Sequence, residues 1–221
     1  MKILIVAASV QELSPLKEKA NGFRQISSCL SSWEFAGQWI DVLISGVGMV
    51  ATSYQLTKLL QTKKYDLIIN AGIAGSFDLS VPLGSVFQLK EDVFADMGAE
   101  DKEDFLSLND LNFGAIEYQA YGMLQLNLPE ATGATVNTVH GNALSIKAFS
   151  QRNNALLESM EGAAVFFVCA IEKQNVVQIR AVSNYVEERN RAAWEIPLAI
   201  KNLNNFLYEL LLDVETALIK N

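Results

Sequence analysis

Two buried strands separated by a helix constrain the fold of this chain more than any other feature. Residues 2–8 form a buried strand with a branched aliphatic run. A strand at residues 38–45 ends in Ser-Gly-Val-Gly, and residues 66–70 form another buried strand that leads into small residues at 71–76. Between them, residues 49–61 have the apolar spacing of an amphipathic helix. A strand, a crossover helix and a second strand are typical of a βαβ unit. The sequence therefore predicts an α/β protein with a largely parallel sheet.

Further segments carry the patterns of strands or helices. Additional strands are predicted at residues 23–30, 33–37, 38–45, 84–91, 134–139 and 176–182. Additional helices are predicted at residues 13–20, 147–157, 162–171 and from residue 191 to the C-terminus. Residues 92–106 are predicted to be an acidic loop, and 107–133 an irregular lid or partner-contacting segment without assigned chemistry. No repeat or linker divides the chain, so residues 1–221 are predicted to form one domain.

Composition limits the functional classes. Half of the 221 residues are hydrophobic, which suits a globular domain with a large core. The net charge is -8 and the basic residues form no run, so nucleic acid is not an expected partner. The N-terminal apolar run is too short for a signal peptide, and no window approaches the roughly 20 apolar residues of a membrane helix. We therefore expect a cytoplasmic protein without a membrane partner, in which Cys29 and Cys169 are reduced, packed thiols.

The scarcity of histidine excludes two kinds of site. His140 is the only histidine, and the two cysteines lack the spacing of zinc ligands, so no metal site is expected. No nucleophile motif accompanies His140, so a Ser-His-Asp triad is not expected either. The sequence assigns no role to His140.

The stretch from Glu158 to Asn184 places polar residues in apolar surroundings. Glu161 directly precedes a nearly unbroken apolar helix, and Arg180 interrupts an apolar strand that ends in Ser183 and Asn184. Ligands in open α/β sheets bind beyond the carboxyl ends of strands, and a buried carboxylate is costly unless something binds it. One interpretation is therefore a ligand pocket. The other is that Glu161 caps the helix, where the helix dipole favours an acid, and that Ser183 and Asn184 form an ordinary turn.

Other strand ends offer candidate groups as well. Glu12 follows the first strand, either as a site residue or as a first-turn acid on a solvated face. The Ser-Gly-Val-Gly segment at 45–48 directly precedes a helix, as glycine-rich phosphate-binding loops do. It lacks the third glycine and the acidic residue of a dinucleotide-binding site. The small residues at 71–76 would let backbone amides approach a ligand closely.

Taken together, several segments resemble the nucleoside phosphorylase and nucleosidase superfamily. They are Ile-Ser-Gly-Val-Gly at 44–48, Ile-Asn-Ala-Gly-Ile-Ala-Gly at 69–75, Ser-Met-Glu-Gly-Ala-Ala at 159–164 and Arg-Ala-Val-Ser-Asn at 180–184. Within the superfamily, the chain resembles the futalosine hydrolases through residues 94–101 and 183–186, with Arg189 and residues 191–194. That family cleaves futalosine to hypoxanthine and dehypoxanthine futalosine in menaquinone biosynthesis.

The resemblance implies a single α/β domain with a mixed, twisted sheet flanked by helices. It also implies a purine nucleoside substrate, no cofactor, and a homo-oligomer that is at least a dimer. In the implied roles, Glu12 activates water, Glu161 holds the ribose hydroxyls, Met160 lies against the sugar, Arg180 supports the pocket and Asn184 contacts the purine. The other residues implied to bind substrate are Val47, Ile73, Ala74, Gly75 and Ser183.

These residue types suit cleavage of an N-glycosidic bond. The ribose gains positive charge, which one carboxylate stabilises at a hydroxyl while a second takes a proton from water. The resemblance places an aspartate at position 184 in adenine-cleaving relatives, whereas Asn184 offers both a donor and an acceptor to a 6-oxopurine. An amide cannot give up a proton, so the hypoxanthine is expected to leave as an anion held by hydrogen bonds and to take its proton from solvent.

Departures from the superfamily pattern leave alternatives open. Ile73 stands where related adenosine-type nucleosidases often have serine, and a shortened segment between Gly141 and Glu161 leaves the base-stacking aromatic unassigned. Phe149 is a candidate, although its spacing is that of a core residue. A phosphorylase would need arginines around phosphate, which the loop at 7–12 lacks, so hydrolysis is favoured. A methylthioadenosine/adenosylhomocysteine nucleosidase remains an alternative, and a non-catalytic sensor is disfavoured because both acids are present.

Overall fold

The computed structural model describes residues 1–122, 125–212 and 214. Its strands are β1 Ile3–Ala7, β2 Gly22–Gln25, β3 Leu30–Phe35, β4 Gln38–Ile44, β5 Leu67–Ser76, β6 Val86–Phe94, β7 Gly98–Asp101, β8 Asp104–Ser107, β9 Glu117–Gln119, β10 Glu130–Thr135, β11 Leu157–Ser159 and β12 Val176–Tyr185. Its α-helices are α1 Ser14–Glu18, α2 Met49–Leu60, α3 Ala143–Arg152, α4 Gly162–Glu172 and α5 Ile196–Leu212. Two 3-10 helices lie at Gln11–Leu13 and Arg191–Ala193.

One mixed sheet organises these elements. Its strand order is β11-β10-β6-β12-β5-β1-β4-β3-β2, with β9 paired to β6. Strand β5 runs parallel to β1 and β12, whereas β12 and β6 are antiparallel. Because β11 also pairs with β5, the strands β11, β10, β6, β12 and β5 close into a ring. The predicted α/β fold with a mixed sheet flanked by helices is confirmed, but the ring was not predicted from the sequence.

Both faces of the sheet are covered, as the continuous apolar runs of β1 and β5 require. Ile3 and Ile5 of β1 belong to the core cluster that contains the buried face of α5. Leu4 and Val6 point the other way, into the cluster that contains residues of α2 and α4. Cys169 of α4 is buried in that second cluster as a free thiol. Among the described residues, no helix is both long enough and apolar enough to cross a membrane.

Several predicted boundaries are wrong. The strand predicted at 23–30 is divided between β2 and β3, because the amides of Ile26 and Ser27 both donate to the carbonyl of Leu30 and turn the chain. The segment at 92–106 is not a loop. Strand β6 continues through Asp92, and β7 and β8 form a hairpin beyond it. The irregular segment predicted at 107–133 contains β9 and the start of β10.

Helix boundaries also differ from the prediction. The helix predicted at 147–157 begins earlier, because the Asn142 side chain caps α3 by accepting from the amides of Leu144 and Ser145. The strand predicted at 134–139 is β10, which ends before residue 136. The predicted C-terminal helix is α5, which begins only at Ile196, and the last residues of that prediction lie outside the described part of the chain.

A buried chain of hydrogen bonds ties the sheet to the start of α4. The Asp92 carboxylate is fully buried and accepts from Thr135 Oγ1 at 2.8 Å and from Gln178 Nε2 at 2.7 Å. Thr135 Oγ1 in turn accepts from the amide of Ala163 in the first turn of α4, at 2.8 Å. Asp92 thus helps to fix the helix end that follows Glu161.

The same chain continues to a buried arginine. Asn70 Nδ2 donates to Gln178 Oε1 at 3.1 Å, and Arg180 Nη1 donates to Asn70 Oδ1 at 3.3 Å. Buried polar groups need such partners, because an unpaired one costs on the order of 1–3 kcal/mol. Asn70 of β5, Asp92 of β6, and Gln178 and Arg180 of β12 therefore form one connected network.

This network predicts a pH dependence of stability. Burial raises the pKa of Asp92 from 3.8 to about 6, against the opposing effect of its hydrogen bonds from Gln178 and Thr135. Between those values the folded state binds more protons than the unfolded chain, so the contribution of Asp92 to stability falls as the pH rises. Relative to Asp92→Asn, which cannot titrate, we expect the free energy of unfolding of the wild type to fall by on the order of 2–3 kcal/mol between about pH 4 and pH 6.5.

Urea unfolding of both proteins across this pH range measures that difference. A difference between the two proteins that stays constant with pH would contradict the prediction.

Candidate active site

A cavity of about 390 Å³ lies at the edge of the sheet where β1, β5 and β12 approach their carboxyl ends. This volume is in the range of small-molecule sites. Another cavity, of about 420 Å³, lies at the amino end of β1 beside Lys63 and Lys64. Both of those lysines are paired with carboxylates, and that cavity contains none of the predicted site residues. The first cavity is therefore the candidate site.

Nine of the ten predicted site residues line this cavity although they are scattered over 173 positions of the chain. They are Glu12, Val47, Ile73, Ala74, Gly75, Met160, Glu161, Ser183 and Asn184. Arg180 does not line it, because its side chain is only 1% exposed. Its position behind the cavity wall fits the supporting role that the resemblance implies, not direct contact with a ligand.

Glu12 is held inside the protein. It is 9% exposed and belongs to the 3-10 helix after β1. Its Oε2 accepts from the amide of Ser9 at 2.9 Å and from Ser9 Oγ at 3.2 Å, and its Oε1 accepts from the amide of Ile73 at 3.3 Å. The alternative that Glu12 lies on a solvated face is wrong. These bonds fix the carboxylate between the ends of β1 and β5.

Glu161 is the N-cap residue of α4, yet its side chain makes no capping bond. Its Oε1 accepts instead from the amide of Gly48 at 2.9 Å, so the capping interpretation is wrong. Burial raises the pKa of Glu161, while the Gly48 N–H and the charge of Arg180 act in the opposite direction. Gly48 has φ +93°, a left-handed conformation that glycine adopts without strain. The Gly-Val-Gly segment thus presents this amide to a protein carboxylate.

Arg180 and Glu12 meet at Gly72. A Cβ atom on Gly72 would lie 2.9 Å from Glu12 Oε1 and 3.0 Å from Arg180 Nη1, so these two groups are separated by at most about 6 Å. Arg180 Nε has no hydrogen-bond partner among the residues that the structure describes. The guanidinium therefore acts on the nearby carboxylates mainly through its charge.

The amide of Asn184 has a fixed orientation. Its Oδ1 accepts from Ser183 Oγ at 2.8 Å, and its Nδ2 donates to the carbonyl of Tyr185 at 3.0 Å. Ser183 Oγ is itself 3.2 Å from the carbonyl of Ala74. One amide hydrogen and one lone pair of Asn184 remain for a ligand.

Sequence reasoning missed a polar pair in the cavity wall. The buried Glu158 accepts from the backbone amide of His140 at 3.1 Å and also from the ring Nδ1. Phe77 and Phe149 pack against the His140 ring, with centroid distances of 6.2 Å and 4.9 Å. Phe149 is 1% exposed and belongs to the core, so its proposed role as the base-stacking aromatic is wrong. The only signal in the sequence for this pair was Glu158, a charged residue that follows the two leucines at 156–157.

The rim of the cavity carries a cation and a large aromatic ring. Arg189 and Trp194 both line it, and the guanidinium carbon lies 5.2 Å from the centroid of the Trp194 ring. In the sequence, Arg189 and Trp194 only carried part of the resemblance to the family and had no predicted role. A stacked arginine at the mouth gives an otherwise acidic cavity a positive edge.

Comparisons with known proteins identify the family of this chain. A sequence profile of the phosphorylase superfamily matches residues 2–212. A futalosine hydrolase of Streptomyces coelicolor is 37% identical over 177 residues, which cover 75% of this chain and 75% of that protein. The chain belongs to the futalosine hydrolase family of the phosphorylase superfamily.

Two further proteins are similar to this chain, one in sequence and one in fold. A 5'-methylthioadenosine/S-adenosylhomocysteine nucleosidase of Psychromonas ingrahamii is 28% identical over 244 residues, covering 96% of this chain and 98% of that protein. The solved futalosine hydrolase of Helicobacter pylori superposes with a TM-score of 0.81 at 18% identity, covering 96% and 97% of the two chains. The predicted family and the predicted enzyme class, a nucleosidase, are confirmed. The residue roles and the expected lack of a metal or cofactor stay predictions.

The contact at Gly72 yields a test of the site geometry. Gly72→Ala would insert a methyl group between Glu12 and Arg180 and push the end of the Glu12 side chain aside. Because a displacement of about 1 Å can lower a rate by about 100-fold, we expect a loss of that order in kcat with little change in melting temperature. Steady-state kinetics and thermal unfolding measure the two effects. Unchanged kcat in a folded variant would show that the position of the Glu12 carboxylate is unimportant.

Proposed function

We propose that this protein hydrolyses futalosine to hypoxanthine and dehypoxanthine futalosine. The observation that carries the proposal is a pair of carboxylates, the buried Glu12 and the half-buried Glu161, fixed in one cavity with a buried guanidinium behind them. Such a pair suits attack of water on a ribose that gains positive charge. The 37% identity to a futalosine hydrolase supports the choice of substrate.

In the proposed reaction, Glu12 accepts the proton of the attacking water. Its three protein hydrogen bonds hold the carboxylate in place and leave it able to accept another. Glu161 binds the ribose hydroxyls, where its negative charge opposes the positive charge that develops on the sugar. Met160 lies beside Glu161 in the wall and contacts the sugar. Neither step requires a cofactor or a metal.

Water is favoured over phosphate as the nucleophile. Glu12 lies where a phosphate dianion would approach the sugar, and two like charges at close range repel each other. No arginine occurs in the loop at 7–12, and Arg180 is buried behind the carboxylates. Arg189 lies at the rim, beside Trp194. These positions support hydrolysis.

The protein works in the cytoplasm as one domain that forms a homo-oligomer, at least a dimer. Free Cys29 and Cys169 support a reducing compartment. Val50 and Tyr54, one turn apart on α2, are 81% and 61% exposed, and Val47 in the cavity wall is 63% exposed. Exposed apolar residues beside a site are typical of a surface that another protomer covers. Sedimentation equilibrium should therefore give a mass of at least two chains, whereas a fully active monomer would contradict this assignment.

The two acids are expected to affect turnover more than binding. Glu12→Gln cannot take the proton from water, and Glu161→Gln lacks the charge that opposes the developing positive sugar. Each substitution should lower kcat by about 100- to 10,000-fold while KM changes by much less. Normal turnover by Glu12→Gln would remove the proposed base. A Glu161→Gln enzyme that changed only KM would make Glu161 a ground-state anchor.

The leaving base provides the test of the substrate assignment. Asn184 can donate to O6 or N7 of a 6-oxopurine and accept from a ring N–H, whereas a 6-amino base leaves donors facing each other. Such a mismatch costs roughly 1–3 kcal/mol, which corresponds to about 10- to 100-fold in rate. Purified enzyme in phosphate-free buffer is offered futalosine, its 6-amino counterpart, inosine and methylthioadenosine, and the released base is identified by chromatography.

Hypoxanthine from futalosine is the expected main product, and Asn184→Asp should shift activity towards the 6-amino substrate. Preferential release of adenine by the wild type would instead support a methylthioadenosine-type nucleosidase.

A further inference from the structure

The only histidine of the chain lies in the cavity wall with a dedicated carboxylate partner. Glu158 is 4% exposed and accepts from His140 twice, through the backbone amide at 3.1 Å and through ring Nδ1. Phe77 and Phe149 pack against the ring. The imidazole is therefore held by the hydrogen bond of its backbone amide, by the hydrogen bond of Nδ1 and by the packing of two phenyl rings.

Because Nδ1 of His140 is bonded to Glu158, Nε2 is the ring nitrogen that remains for a ligand in the cavity. A carboxylate is an acceptor, so Nδ1 carries the hydrogen of this bond. Nε2 has no hydrogen-bond partner among the residues that the structure describes, and His140 lines the cavity. If Nε2 is also protonated, the positive charge on the ring is compensated by the buried carboxylate of Glu158. The pair can thus present a proton to a ligand.

The sheet places this pair beside the residue that is proposed to contact the base. Glu158 of β11 pairs with Gly75 of β5, and Asn184 of β12 pairs with the same Gly75 from the other side. Neighbouring strands are about 4.8 Å apart, so the Cα atoms of Glu158 and Asn184 are separated by roughly 10 Å. Asn184 and Glu158, the partner of His140, therefore flank Gly75, and a purine bound at Asn184 shares its cavity with the His140 ring.

The departing purine needs a proton that the other groups are badly placed to give. The amide of Asn184 does not ionise. Glu12 gains a proton only as water attacks, and Glu161 Oε1 already accepts from Gly48 on the sugar side of the cavity. We propose that His140, oriented by Glu158, is the general acid that protonates the departing purine. This inference rests on the proposed function and replaces solvent as the expected source of the proton.

The C1'–N9 bond breaks and its electron pair goes to the purine, which takes the proton of His140 Nε2 on a ring nitrogen. The oxygen of water forms the new bond to C1', and the proton of that water goes to Glu12. Solvent then carries a proton from Glu12 back to His140. One water is consumed, and no other reactant is needed.

The test compares two leaving groups. Futalosine releases a purine that benefits from protonation, whereas p-nitrophenyl β-D-riboside releases a phenolate that departs without it. His140→Gln keeps a polar side chain of similar length but cannot transfer a proton. With futalosine, we expect kcat to fall by about 100- to 10,000-fold, with a small change in KM and loss of the alkaline limb of the pH profile. With the phenyl riboside, the rate should stay within a few-fold of the wild type.

Two further variants separate catalysis from packing. Glu158→Gln keeps the shape of the partner but removes its charge, and should lower kcat on futalosine by about 10- to 100-fold. Phe77→Leu loosens the packing on the ring without removing its proton, so it should change both rates alike and leave the shape of the pH profile unchanged. The pH comparison includes these variants because other charged groups lie near the ring or in the same cavity. They are Glu158, Arg152 beyond Phe149, and the cavity residues Glu12, Glu161 and Arg189.

The outcomes distinguish this inference from the proposed function. An active wild type with a His140→Gln variant that keeps its rate on futalosine overturns the role of His140 alone. Equal losses on both substrates with an unchanged pH profile also overturn it, because they identify a structural residue. A wild-type enzyme that releases no hypoxanthine from futalosine overturns both proposals.

Discussion

The buried charge of Arg180 allows two carboxylates to share one cavity. The charge of Glu12 raises the pKa of Glu161 and the charge of Arg180 lowers it, so the guanidinium opposes the repulsion between the two acids. Gly72 leaves the space in which Glu12 and Arg180 approach each other. Without a fixed positive charge at this point, two acids in one cavity would favour the binding of a shared proton. The proposed roles of base and charge stabiliser both depend on avoiding that state.

Burying an arginine has a large desolvation cost, which the sheet offsets by hydrogen bonds and nearby charge. Arg180 is bonded to Asn70, and the chain continues through Gln178 to Asp92. From Asp92 it passes through Thr135 to the first turn of α4, which directly follows Glu161. One network therefore supports the guanidinium and fixes the helix that presents an acid to the cavity. This connection explains why Asn70, Asp92, Gln178 and Arg180 occur in the buried interior of the sheet.

The sequence allowed most of the candidate site to be predicted because its residues follow strand ends. Glu12, Ile73 and Asn184 lie near the carboxyl ends of β1, β5 and β12, and the pattern of each strand is visible in the sequence. The strand pairing could not be predicted as easily. The three-residue strand β11 is too short to leave a pattern, yet its pairing with β5 closes the ring and brings Glu158 beside Gly75.

Asp92 and His140 were misjudged for related reasons. An aspartate after an apolar run resembles the start of a loop, but partners distant in sequence allow β6 to continue through Asp92. His140 lacked any nearby motif, because its carboxylate partner is 18 residues away and reaches it through the tertiary fold. Contacts of this kind depend on register and packing, which local patterns do not specify.

The central claim is that the paired acids direct water to the ribose carbon of a purine nucleoside. The most direct measurement is mass spectrometry of the sugar product formed from futalosine in ¹⁸O-labelled water that also contains phosphate. If water is the nucleophile, dehypoxanthine futalosine carries one ¹⁸O atom from the solvent and no sugar phosphate forms. A phosphorylated sugar product, or no release of hypoxanthine at all, would contradict it.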